Sequence, residues 1–381
     1  MMTDDPRERA TALLREARAD PDPDDAPAFD ELLSADDPTL RRNGLDGLAI
    51  LGGRDPSLLT DRVDRFAELL SDPDREVRAG ASALYANSLS GDAVLEAADA
   101  LAECLTDSYS IVRWNALEGL LAAARTDPAA CTDFVDDVLA FLDADADHVR
   151  AHAVQFLAVV STAHPEAVLP ATDRLLDVLL SSEDIDVPID ATVRRRAPDS
   201  GSRVDDMADE GRKRIRDTRQ AAGHAIYEVA RGDPDAVRPT VDDLLELLDD
   251  PDPQIRVVAL DVLVALAEDD PEPLTEYTEQ IATCLDDDAA MVRASASQAL
   301  TAVSPAAPDD VAGAAFESVD RIAPLLEDDD PAVRASAASL LALAAERDPD
   351  AVAGLWDRLE GLRSDDAAFV REAAADALDQ R

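Results

Sequence analysis

Few residues in this sequence could do covalent or metal chemistry, and they do not converge. His148 and His152 stand four apart, the spacing that puts two imidazoles on one helix face. Neither is followed by glutamate in the metalloprotease pattern, and no third ligand stands nearby. With His164 and His224, they read as solvated surface histidines. Cys104, Cys131 and Cys284 are too few for a disulfide framework in 381 residues. There is no glycine-rich phosphate loop and no serine elbow. The pattern predicts no catalytic, cofactor-binding or metal-binding residues, hence no enzyme and no small-molecule substrate.

The elements that carry these residues repeat. An aliphatic residue and an Arg are followed three positions after the Arg by a small residue and four further on by a large apolar one. Val77-Arg78 with Ala81 and Tyr85, and Val112-Arg113 with Ala116 and Leu120, are two copies. Arg150, Arg256, Arg293, Arg334 and Arg371 mark further copies, Arg41 and Arg219 looser ones, and Arg9 a degenerate first one. Successive Arg spacings are 32, 37, 35, 37, 69, 37, 37, 41 and 37 residues. A period of 37 suits a unit of two helices stacked in series. Asp-Pro recurs at positions 55, 127, 233, 270 and 348, each Pro lying 22 residues before a repeat Arg. Asp accepts from the free amides of a helix start and Pro suits the first helical position, so these pairs open first helices. Asp37-Pro38, Asp252-Pro253 and Asp330-Pro331 open second helices in the same way. No segment alternates as a strand does. The fold class predicted is all-α, an α-solenoid of about ten two-helix repeats.

Charge bounds the rest. The formal net charge is −48, from 83 acids against 35 bases. Of these, 61 are Asp and 34 are Arg, with Lys213 the one lysine. The acids are spread among 46% hydrophobic residues, too much apolar material for wholesale disorder. This composition resembles that of proteins from salt-in halophiles, notably haloarchaea. An acidic surface adapted to salt says little about partners. No apolar run is long enough for a membrane span, and residues 1–5 have no signal-peptide character, so a cytoplasmic location is expected.

The repeat itself resembles the HEAT-repeat family, including the HEAT-like repeats of phycobilisome-lyase type. The resemblance rests on the Val-Arg pair, the small residue after it and an Asp six residues before the Arg. Asp72, Asp107, Asp250, Asp287, Asp328 and Asp365 hold that place. The resemblance implies a hydrogen-bonded structural ladder of these Asp with Arg78, Arg113, Arg150, Arg256, Arg293, Arg334 and Arg371. Ala35, Ala144 and Lys213 stand at the Asp place elsewhere and should interrupt it. The iron-dependent hydroxylases among HEAT proteins use His-Glu dipeptides, absent here, and HEAT-like DNA glycosylases have a basic aromatic groove, also absent. Cys104, Cys131, Cys284 and Trp356 align with core positions of other units.

What remains is surface, and the expectation is a non-enzymatic scaffold that holds another protein. The family's second helices line a concave side, so positions one, five and eight after each Arg should face outward. There the sequence places Trp114, Glu118 and Leu121, then Gln155, then Gln220, His224 and Tyr227. The candidate partner-binding set is Trp114, Gln155, Gln220, His224 and Tyr227, with Trp114 and Tyr227 open to a second reading as inter-repeat packing. The 69-residue step exceeds one repeat by 32 residues. It divides the solenoid into residues 1–182 and 212–381, with 183–211 read as an Arg-rich mobile loop between two helices of one repeat. Arg194, Arg195, Arg196, Arg212, Lys213 and Arg214 give this stretch its cations, and they complete the candidate set. Two readings stand, a tolerated insertion and a basic arm for an acidic protein or nucleic-acid phosphate. The functional alternatives are thus a nucleic-acid accessory protein and, on repeat resemblance alone, a lyase-like activity.

Overall fold

A computed structural model describes residues 5–144, 146–181 and 201–381, and for 201–208 the backbone course only. Every regular element among the described residues is helical. The chain forms two compact units, residues 1–170 and 171–381. Unit one opens on the helix Pro6–Ala19 and continues with four helix pairs, and unit two holds five pairs among the described residues. Both are α-solenoid stacks.

The second helices are continuous: Pro38–Gly52, Arg75–Asn87, Ser110–Thr126 and Asp147–Ser161 in unit one. In unit two they are Gly201–Gly232, Pro253–Asp269, Ala290–Val303, Pro331–Arg347 and Ala368–Leu378. Asp37, Asp252 and Asp330 cap their helices, accepting from the amides of Thr39 (3.0 Å), Gln254 (2.9 Å) and Ala332 (2.8 Å), each with Pro at the first position. Helix Pro6–Ala19 opens on Asp5-Pro6 and starts three residues before Arg9, the offset at which Pro38 precedes Arg41. It is therefore a second helix in register.

The first helices are broken into short α and 3₁₀ pieces. Pro170, Pro239, Pro273 and Pro324 all lie inside the 3₁₀ pieces, where the ring removes a donor and blocks the α-helical bond.

The small residue after each Arg explains how tightly the helices pack. Ala81, Ala116, Ala259 and Ala337 are fully buried. At Gly44 a Cβ would lie 2.8 Å from Leu33 Cδ2 and 2.9 Å from the Phe29 carbonyl oxygen. Tyr85, seven after Arg78, is buried and its hydroxyl donates to the Val63 carbonyl at 2.8 Å. Trp356 and the three cysteines are core residues.

One sequence expectation is corrected. Residues 201–211, read as loop, are helical, because the helix carrying Arg219 starts at Gly201 and runs 32 residues. Acids precede bases here by three or four positions, and Asp209 pairs with Arg212 on the same face. The division expected at 212 is not found, since residue 212 lies inside this helix, whereas the division at 182 and Arg194, Arg195 and Arg196 lie outside the described residues.

Candidate interaction surface

The second helices are fixed by arginine. Eight repeat arginines, from Arg41 to Arg371, donate from Nη1 to the backbone carbonyl six residues earlier at 2.6–2.8 Å. Each such bond ties a second helix to the turn that leads into it. The remaining guanidinium nitrogens reach the next unit's Asp. Arg41 meets Asp72 at 2.8 Å, Arg78 meets Asp107 at 2.5 Å, Arg256 meets Asp287 at 2.8 Å and Arg334 meets Asp365 at 2.8 Å. The acceptor Asp also takes its own turn's amide, two residues on: Tyr109 N to Asp107 at 2.7 Å, Ala289 N to Asp287 at 2.8 Å and Ala367 N to Asp365 at 3.0 Å. One carboxylate thus ties two units and shapes a turn.

Electrostatics follow this geometry. The Arg78 and Arg334 guanidiniums hold the carboxyls of Asp107 and Asp365 below the usual carboxylate range. At Asp287 burial opposes ionisation, yet the bonds from Arg256 and the Ala289 amide prevail and the shift is downward.

The ladder has irregularities. Ala144 offers Arg113 no carboxylate, and Arg150 turns to Asp147 on its own helix. Between Arg293 and Asp328 no rung forms, contrary to the sequence expectation. The step from Arg293 to Arg334 is 41 residues, four more than usual, and Arg293 Nε is buried without a hydrogen-bond partner. Lys213 is not in a ladder turn, because the helix runs straight through it. With that turn gone, Arg219, only 2% exposed, donates from Nε to the Leu179 carbonyl at 2.7 Å and from Nη2 to Asp250 at 2.5 Å. In unit one, Arg7 donates from Nε to Asp37 at 2.5 Å, two residues past the Ala35 place.

The outward positions differ between the units. In unit one, Trp114 is half-buried and lies edge-on to His148 and His152 of the next second helix, at centroid separations of 4.7 and 4.5 Å. Gln155 accepts from Arg125 at 3.2 Å. Leu121, expected outward, is 1% exposed and belongs to the core; eight residues on from Arg113, it has turned toward the paired helix.

In unit two, Gln220 and Tyr227 are half-buried and His224 is exposed. His224 Nε2 lies 4.0 Å from Glu228, and the Arg231 guanidinium lies 5.8 Å from the Tyr227 ring centroid. Arg212, Lys213 and Arg214 are exposed on the same helix. Sequence reasoning passed over Asp261. It is five after Arg256, and burial raises its carboxyl's affinity for protons although the Ser295 hydroxyl donates to it. Its position in the repeat was the available signal.

No three His, Cys, Asp or Glu side chains among the described residues are grouped to hold a metal. Burial pushes the thiols of Cys104, Cys131 and Cys284 up to about 11, which leaves them as inert core groups. No helix among the described residues is long and apolar enough to cross a membrane.

Comparison with known proteins bears on the fold. The family model for non-SMC mitotic condensation complex subunit 1 matches residues 233–322. The crystal structure of an engineered protein is similar over 100% of this chain and 96% of its own, at 21% identity and a TM-score of 0.70. Kap95p, in a complex with RanGDP, is similar over 100% of this chain at 13% identity and a TM-score of 0.58. The chain is an all-α solenoid. It spans 49% of the Kap95p chain. No curated protein matches it in sequence. In this solenoid frame, the ladder accounts for the repeated Arg and Asp, and the outward residues of the second helices are not needed for it.

Proposed function

We propose that the protein is a non-enzymatic scaffold that binds another protein through the second helices of its units. The observation that carries this reading is that large polar and aromatic side chains recur at equivalent places there. Trp114 and Gln220 stand one after the repeat Arg, and Gln155 and His224 five after, with Tyr227 on the same helix as His224. Aromatic side chains that remain accessible are the usual anchors of protein interfaces. The similarity to Kap95p, which binds RanGDP, supports the class of function.

A second reading rests on Arg212, Lys213 and Arg214, exposed together in a chain of net charge −48, and makes that helix a contact for phosphate. Salt separates the two. Phosphate binding falls linearly with the logarithm of salt, whereas apolar and hydrogen-bonded protein contacts persist. Affinity capture from native lysate in molar KCl should retain a specific protein on the full chain and lose it on a chain carrying Trp114→Ala and Tyr227→Ala. Retention of nucleic acid alone, released as salt rises, overturns the scaffold reading.

A further inference from the structure

Trp114, His148 and His152 are brought together by unit one, and neither the ladder nor the core uses them. The histidines occupy successive turns of helix Asp147–Ser161, and both rings pack against one indole from helix Ser110–Thr126. His152 Nδ1 lies 2.8 Å from the His148 carbonyl oxygen. A carbonyl only accepts, so this ring nitrogen carries the proton, and in the neutral imidazole the lone pair is left on Nε2. That second bond, fixing tautomer and ring orientation, is the arrangement found behind metal-ligating histidines.

We propose that His148 and His152 form a two-imidazole chelate for a borderline divalent transition metal, of the class Ni²⁺, Cu²⁺ or Zn²⁺. Residues four apart on a helix share one face, the placement that lets two imidazoles bind one ion. T-shaped contact with the Trp114 ring restricts both imidazoles before the ion arrives, so less side-chain freedom is lost on binding. His148 is exposed and His152 half-buried, so the site is open to solvent. Among the described residues no third protein ligand joins them, and water fills the remaining positions. Imidazole donors favour these ions over Mg²⁺ and Ca²⁺, which take oxygen ligands. The neighbouring carboxylate of Asp147 is engaged by Arg150. The proposal is independent of the scaffold reading.

The test is a calorimetric titration of the full chain with Ni²⁺ in molar KCl and excess Mg²⁺, which occupies surface carboxylates. One saturable site per chain is expected, with quenching of tryptophan emission on the same isotherm. His148→Ala and His152→Ala should each weaken binding about tenfold or more. Both positions are at least partly solvent-exposed, so the variants should keep the fold. Trp114→Phe should abolish the quench while a saturable heat remains, since the other tryptophan, Trp356, is a buried core residue. The absence of a saturable site overturns the proposal. So does binding unchanged in both histidine variants, or a quench that survives Trp114→Phe.

Discussion

Replacing Arg78 by Met removes a complete rung while keeping the aliphatic stem. The guanidinium donates to Asp107 at 2.5 and 3.0 Å and to the Asp72 carbonyl at 2.7 Å. The pair is largely shielded, with side-chain exposures of 16% for Arg78 and 9% for Asp107. Breaking one side of a buried pair strands the other charge, at a cost of about 3 kcal/mol. Arg113→Met is the internal control. That guanidinium faces Ala144 in place of an aspartate and loses the 2.7 Å bond to the Asp107 carbonyl, about 1 kcal/mol. Stacked repeats respond through their nearest neighbours, so the difference should appear as earlier melting around helix Arg75–Asn87. The assay is urea denaturation followed by circular dichroism in molar KCl, because urea leaves the ionic strength fixed. Arg78→Met should lower the midpoint clearly more than Arg113→Met, and Arg78→Met with Asp107→Leu should recover much of the loss. Equal shifts for the two single variants would refute the argument that the inter-unit carboxylate is what matters.

Three further outcomes are expected. With a net charge of −48, thermal stability should rise as KCl goes from low to molar concentration, since the Debye length falls from about 8–10 Å to about 3 Å; a flat or falling melting temperature contradicts this. Asp107, Asp287 and Asp365 titrate lower in the folded chain than in the unfolded one, so their stabilisation is full above the ordinary aspartate value, about 3.9, and is lost as pH falls through the folded values. Acid unfolding in molar KCl should therefore begin at higher pH for Asp365→Asn than for the native chain, read by circular dichroism. Finally, Gly47→Ala would set a Cβ 2.1 Å from the buried Phe29 ring, and the overpacking, about 1–3 kcal/mol, exceeds the gain of about 0.5–1 kcal/mol from alanine in a helix. Gly313→Ala, whose Cβ meets nothing nearer than Arg347 at 3.7 Å, should stabilise in the same urea assay.

Most of the fold was legible because the residues that specify it act locally. Asp-Pro at a helix start and a small residue at a helix contact do the same thing in every unit. The spacing of 37 residues counts the units. The long helix through Lys213 was not legible in that way. Its added turns are supported by same-face charge pairs such as Asp209 with Arg212, a weak signal beside Pro198, Gly201 and Gly211. The missing Arg293 rung was hinted at by the 41-residue step, but the motif residues themselves were all present. Outward positions were the hardest. Leu121 and Trp114 both follow Arg113 at places counted as outward, and only the packing of the paired helix separates them. The contact of Trp114 with His148 and His152 joins residues 34 and 38 apart in sequence, one repeat away, which no local pattern encodes.

The central claim is that the second-helix face receives a protein partner. Oxidative footprinting of the full chain, alone and with the protein captured in molar KCl, tests it at individual side chains. Trp114, His224 and Tyr227 should lose reactivity in the complex, while Tyr277, in the first-helix segment Glu272–Tyr277, should keep it. Unchanged reactivity at Trp114 and Tyr227, with protection at Tyr277, would place the partner on the other helices and contradict the account.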